Sequence, residues 1–90
     1  MRTIMLMNAK GGCGKTTLAT NIATWFADEG HKVALADFDP QGSSLDWLEA
    51  RKQYEGIPEI EAIDASEGYV PPAKGTDYLI INVFWTILRI

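Results

Sequence analysis

The string Lys10-Gly11-Gly12-Cys13-Gly14-Lys15-Thr16-Thr17 constrains this chain more than any other feature. An apolar run, Ile4-Met5-Leu6-Met7, precedes it. After it, Leu18, Ile22 and Phe26 recur at helical spacing, with Ala19 and Ala23 on the same face. The order is strand, glycine-rich loop, helix. Glycines reach backbone angles closed to other residues, so successive N–H groups can line one concavity. The helix is expected to start near Lys15, where free N–H groups and the helix dipole favour an anion. A glycine turn serving only close packing is the simpler alternative. The Lys-Thr pair, set between a strand and a helix, argues for a phosphate cradle.

With Ala9 at the first position, the string fits the P-loop pattern, whose usual first residue is glycine. In that pattern the N–H groups of Gly11, Gly12, Cys13 and Gly14 surround a triphosphate. Lys15 reaches the β- and γ-phosphates, the Thr16 hydroxyl sits on magnesium, and Thr17 touches the α-phosphate. Cys13 fills the variable position, either as a small residue that fits or as a thiol open to alkylation.

A second strand is expected over 33–38, running into Asp37-Phe38-Asp39-Pro40-Gln41-Gly42. Carboxylates at the C-terminal end of a parallel strand lie where open α/β sheets bind ligands. A spacing of two places both on one side while the strand stays extended. A magnesium–nucleotide site needs such groups for the metal and for the attacking water.

Two strings carry a family resemblance. Lys10 directly before Gly-Gly-x-Gly-Lys-Thr resembles the deviant Walker A motif of ParA/MinD ATPases, and Asp-x-Asp-Pro-Gln-Gly is similar to the ParA branch. The resemblance implies that Lys10 contacts nucleotide across a dimer interface. It also implies that Asp39 orders metal and water for hydrolysis, with Asp37 a supporting carboxylate nearby. Implied catalytic residues are therefore Lys10, Lys15 and Asp39, and implied metal residues Thr16 and Asp39. ATP and Mg2+ are the implied cofactors. In the family, ATP drives a sandwich dimer that positions plasmids, chromosomes or protein clusters.

The run 77–81 resembles the family's Walker B strand, but Asn82 stands where the family has aspartate. An amide carbonyl can accept from a water or bind a metal, yet brings no charge. Residues 83–90 form an apolar, β-prone tail without a family counterpart. The expected division is a partial nucleotide-binding domain over 1–82 and an atypical tail over 83–90. A truncated copy, with weak or no hydrolysis, accounts for both features. The alternatives are a non-catalytic remnant or interaction fragment that pairs with an intact relative, and a metabolic P-loop enzyme of the same superfamily.

The expected fold is α/β and P-loop NTPase-like: a mainly parallel sheet of four strands with helices, incomplete relative to the family. The P-loop strand is expected inside the sheet, buried and paired with the Walker B strand, with one sheet face poorly covered. The first helix, over 15–29, should pack Leu18, Ile22, Phe26 and Trp25 inward and end at Gly30. Ser43 and Asp46 suggest a capping box opening a second helix over 43–53, with Leu45 and Leu48 inward. Residues 59–63 alternate and read as an edge strand whose glutamates are solvated. Residues 64–77 read as a loop-rich crossover with room for one helical turn. His31 reads as a solvated turn residue.

Ninety residues allow one small domain, and 47% hydrophobic with 22% charged residues is a globular composition. A net charge of −4 argues against DNA binding by this chain. One cysteine excludes an internal disulfide and fits a reducing cytosol. No stretch has the length of a membrane span. A cytoplasmic location is expected.

Overall fold

The computed structural model describes residues 1–8, 15–39 and 42–84; for Asn8, Lys15, Thr16, Thr17 and Phe84 it describes the backbone alone. The elements run β1 (Arg2–Asn8), α1 (Lys15–Asp28), β2 (Val33–Asp37), α2 (Ser43–Arg51), β3 (Ile60–Asp64) and β4 (Tyr78–Phe84). The strands form one parallel sheet in the order β1-β4-β2-β3. The expected α/β class, parallel sheet and β1–β4 pairing are all present. The expected tail lies beyond the described residues from 85 onward.

The P-loop strand was expected inside, but among the described strands β1 stands at an edge and β4 takes the interior place. The burial of the two strands follows their places in the sheet. Leu79, Ile80, Asn82 and Val83 are buried, as an unalternating strand between two neighbours requires. β1 keeps Ile4 and Leu6 against the core, while Met5 and Met7 are exposed. β3 is the other edge, as its alternation suggested.

Both helices cover one sheet face. Ala19, Ala23 and Ala27 of α1 pack with Val33, Leu35, Leu48, Ile60 and Ile80. Ala19 and Ala23 lie on the inner face, as their spacing suggested, and their methyl groups let the helix lie close to the sheet, while Leu18 (51% exposed) and Trp25 (59%) turn outward. The expectation that these two face the core is therefore wrong. Ile22 and Phe26 flank the stripe, and the Phe26 ring stacks on Tyr78 at 3.8 Å. The helix closes as Gly30 and His31 suggested. Gly30 (φ 91°) donates to Ala27 C=O and His31 N–H donates to Phe26 C=O, a Schellman ending. His31 is less free than a solvated turn residue. Its ring lies edge-on to Tyr78, with Nδ1 3.8 Å from Asp77 Oδ2.

The opposite face holds Ala34, Ala36, Ile63 and Leu79, with Phe38 and Ile81 beside them. Among the described residues no helix covers it; Tyr69 of the 65–77 crossover stacks on Phe38 at 6.0 Å. That crossover contains no helical turn. It is held by Glu61, whose Oε1 accepts from Ala73 N–H at 3.0 Å, so this glutamate is not simply solvated. Lys32 N–H donates to Asp77 Oδ2 (2.8 Å), and Asp77 N–H donates to Lys32 C=O (2.7 Å), tying the starts of β2 and β4.

Candidate functional site

β1, β4 and β2 all end at one side of the molecule, because parallel strands share a direction. Leu6, Asn82 and Asp37 stand in register there. Residues 9–14 leave that end of β1, and α1 returns from it with Lys15 as its first residue, where the helix start was expected. Lys10, Gly11, Gly12, Cys13 and Gly14 lie outside the described residues, as do the side chains of Lys15, Thr16 and Thr17.

Two carboxylates follow, both buried: Asp37 and Asp39. The strand stops at Asp37, so the two do not share a strand face. Instead Asp39 N–H folds back to Asp37 Oδ1 (2.9 Å), a local turn that aspartate favours. Asp37 Oδ2 accepts both the N–H (3.3 Å) and the hydroxyl of Ser44. Phe38 N–H donates to Asn82 C=O (2.9 Å), which carries the β2–β4 ladder one residue past the strand.

The expected capping box is not formed. Gly42, left-handed at φ 63°, takes the N-cap position of α2 and brings no capping side chain of its own; Asp37 takes the N–H of Ser44 instead. A left-handed N-cap sets the next residues at a different angle, and the hydroxyl that faces the sheet belongs to Ser44. Ser44 is fully buried, whereas Ser43 is exposed. Ser44 is thus the residue that sequence reasoning missed. Its signal was the tandem Ser43-Ser44 after a glycine, which leaves two hydroxyls one helical step apart.

Asn82 completes the cluster. It is 1% exposed, and its Nδ2 lies 3.4 Å from Ser44 Oγ. Its Oδ1 is buried and has no hydrogen-bond partner among the described residues. A buried acceptor left unpaired costs about 1–3 kcal/mol, so such an atom is suited to an external donor. A hydrated magnesium beside a phosphate group offers donors of that kind. The residues present therefore fit a magnesium–phosphate ligand at this end of the sheet.

The sequence matches the CobQ/CobB/MinD/ParA nucleotide binding domain (CbiA) over residues 4–83. The chain belongs to this family. Members similar to it differ in their tasks. A chromosome-partitioning ATPase Soj of Thermus thermophilus is 41% identical over 83% of the chain and 30% of its own length. A maintenance of carboxysome distribution protein A of Halothiobacillus neapolitanus is 47% identical over 52% of the chain and 21% of its own. A cytosolic Fe-S cluster assembly factor NUBP2 homolog of Culex quinquefasciatus is 35% identical over 82% of the chain and 26% of its own. The chain spans less than a third of the length of these relatives. The matched region runs through the glycine-rich stretch, both aspartates and Asn82. No helix among the described residues is long and apolar enough to cross a membrane.

Proposed function

We propose that this chain is an ATP-binding module of ParA type, the front portion of a nucleotide-driven positioning switch. The observation that carries the reading is the approach of three features at one end of the sheet. β1 runs into the glycine-rich string, α1 starts at Lys15, and Asn82 presents a buried, unpartnered acceptor. The similarity to a partitioning ATPase and to a carboxysome distribution protein supports the positioning class over other branches.

In this reading the N–H groups of residues 11–17 hold the phosphates. Lys15 neutralises the β- and γ-oxygens, and Thr16 and Asp39 hold magnesium. Lys10 reaches the nucleotide of a second copy or of an intact relative. Magnesium, when bound, neutralises charge on the transferring phosphoryl group. Asp39 sits two residues past Asp37, which binds its N–H; that anchor limits how far Asp39 can move. Asn82 holds a donor but adds no charge where a carboxylate would. Slow or absent turnover follows, since phosphoryl transfer depends on several placed groups acting together.

The test is titration of ATP–magnesium into purified chain, with Lys15→Ala as control. Binding that is lost in the variant supports the reading. A folded chain that binds no ATP overturns it. A second reading, a non-catalytic fragment that pairs with an intact relative, draws on the sheet face that no described helix covers. It is distinguished by a chain that stays soluble only with its full-length partner. The similarity to a cytosolic Fe-S cluster assembly factor belongs to a different branch, and titration of nucleotide alone does not separate it from the positioning branch.

A further inference from the structure

Ser44 links two groups that the nucleotide reading treats separately. It joins Asp37, at the end of β2, to Asn82, in β4. The three side chains lie on the helix-covered face, since Asp37 follows Val33 and Leu35 at alternate positions and Asn82 follows Ile80. All three are almost completely buried.

Counting hydrogens fixes the direction of this chain. Asp37 Oδ2 accepts from Ser44 twice, from the N–H and from the hydroxyl. The one hydrogen between Asp37 and Ser44 Oγ therefore belongs to the serine, which donates it to Oδ2. With that hydrogen committed, Ser44 Oγ can only accept from its other neighbour. The corner of Asn82 that faces it must be the amino group, as the Nδ2–Oγ contact of 3.4 Å has it. The carbonyl corner is then turned away from Ser44. It is the corner left without a partner among the described residues. On the far side of β4 stands β1, which leads into the glycine-rich stretch.

We infer that Ser44 is a positioning residue: backed by Asp37, it locks the Asn82 amide so that Oδ1 is offered to a hydrogen-bond donor in the hydration shell of a divalent cation. The nature of that donor rests on the ATP–magnesium reading; the locking of the amide does not. Without the serine hydroxyl, the amide could present either corner, and half of its orientations would set a donor against a donor.

Two measurements test this on the purified chain. The first is hydrogen exchange of the Asn82 side-chain amide, observed by NMR after selective labelling of the three asparagines, Asn8, Asn21 and Asn82. Slow exchange is expected in the native chain, roughly two- to tenfold faster in Ser44→Ala, and slow again in Ser44→Thr, as loss and return of one hydrogen bond imply. The second is the affinity of a non-hydrolysable ATP analogue with and without magnesium chloride. Ser44→Ala should reduce the gain from magnesium several-fold and leave the metal-free affinity unchanged, with Ser44→Thr restoring the gain.

Solvent-like exchange in the native chain, or exchange unchanged by Ser44→Ala, overturns the positioning role. An equal loss of affinity with and without magnesium also overturns it, because that is what a merely structural serine would give. Should Ser44→Ala not fold, exchange in the native chain decides. A native chain with a protected amide but no nucleotide binding refutes the ATP reading and the assigned donor, and leaves the locking intact.

Discussion

Ser44 gives both its N–H and its hydroxyl to Asp37 Oδ2, so the first turn of α2 hangs from the last residue of β2. Asp37 Oδ1 meanwhile holds Asp39 N–H. One buried carboxylate thus organises the whole turn from strand to helix. Asp37→Ala should leave these donors buried and unpaired and lower stability by about 3 kcal/mol, each orphaned donor costing roughly 1–3 kcal/mol. Asp37→Asn, which keeps the shape and one acceptor, should cost less. Urea unfolding of the three proteins checks the order.

The closeness of α1 to the sheet rests on methyl groups. Ala23 has no exposed surface and lies between the helix and the sheet. Ala23→Leu should overpack that contact and destabilise by about 1–3 kcal/mol. Leu18→Ala, on the exposed side of the same helix, should be close to neutral. Thermal unfolding of the pair separates the two sides of α1.

Gly30 carries the left-handed ending of α1 at φ 91°. An added Cβ there would meet nothing within 4 Å. Gly30→Ala should therefore report backbone strain alone, on the order of 1–2 kcal/mol. A chevron or equilibrium denaturation series would measure it, and no repacking of neighbours should accompany it.

Past the end of β3, the Ser66 hydroxyl and N–H both donate to Asp64 Oδ1 and hold its carboxyl below the ordinary 3.8, the hydroxyl contributing more. A carboxyl depressed in the folded state adds stability above its unfolded pKa and loses it as pH falls through the folded value. Ser66→Ala should return the Asp64 titration toward 3.8 in an NMR pH series. The small stability difference from the native chain, visible near neutral pH, should close on acidification below that range.

The elements themselves were legible because each carries a local signal. The apolar runs of β2 and β4, the periodicity of α1 and the Gly30 ending all reappear close to their expected bounds. What escaped depended on distance. Ala19 and Ala23 were expected on the inner face; Leu18 and Trp25 read as core because they are large and lie on or beside that stripe, but the close approach of the alanines to the sheet leaves both exposed at its rim. Ser43 looked like a cap because capping is read from sequence spacing, and the left-handed Gly42 shifted the useful hydroxyl to Ser44. The interior place of β4 is a matter of topology, which no local pattern in β1 announces. In the candidate site, Asp37 and Asp39 were visible as a pair. The resemblance set Asp39 as the metal and water residue and Asp37 as a supporting carboxylate; the joining of the serine and the asparagine to Asp37 was not visible, because they come from other elements.

The interior position of β4 also sets a timetable. β1 and β2 are made first, yet neither touches the other in the finished sheet, since β4 lies between them. Among the described strands, β1 has none to pair with on a translating ribosome until residue 78 and its successors emerge. Loop closure over that span must come before any of its pairing energy is gained, which slows assembly. Until then its backbone edges are open to other chains. The strand that anchors the glycine-rich stretch is therefore the one that waits longest for its place, and chaperone dependence during synthesis should be greatest in that interval.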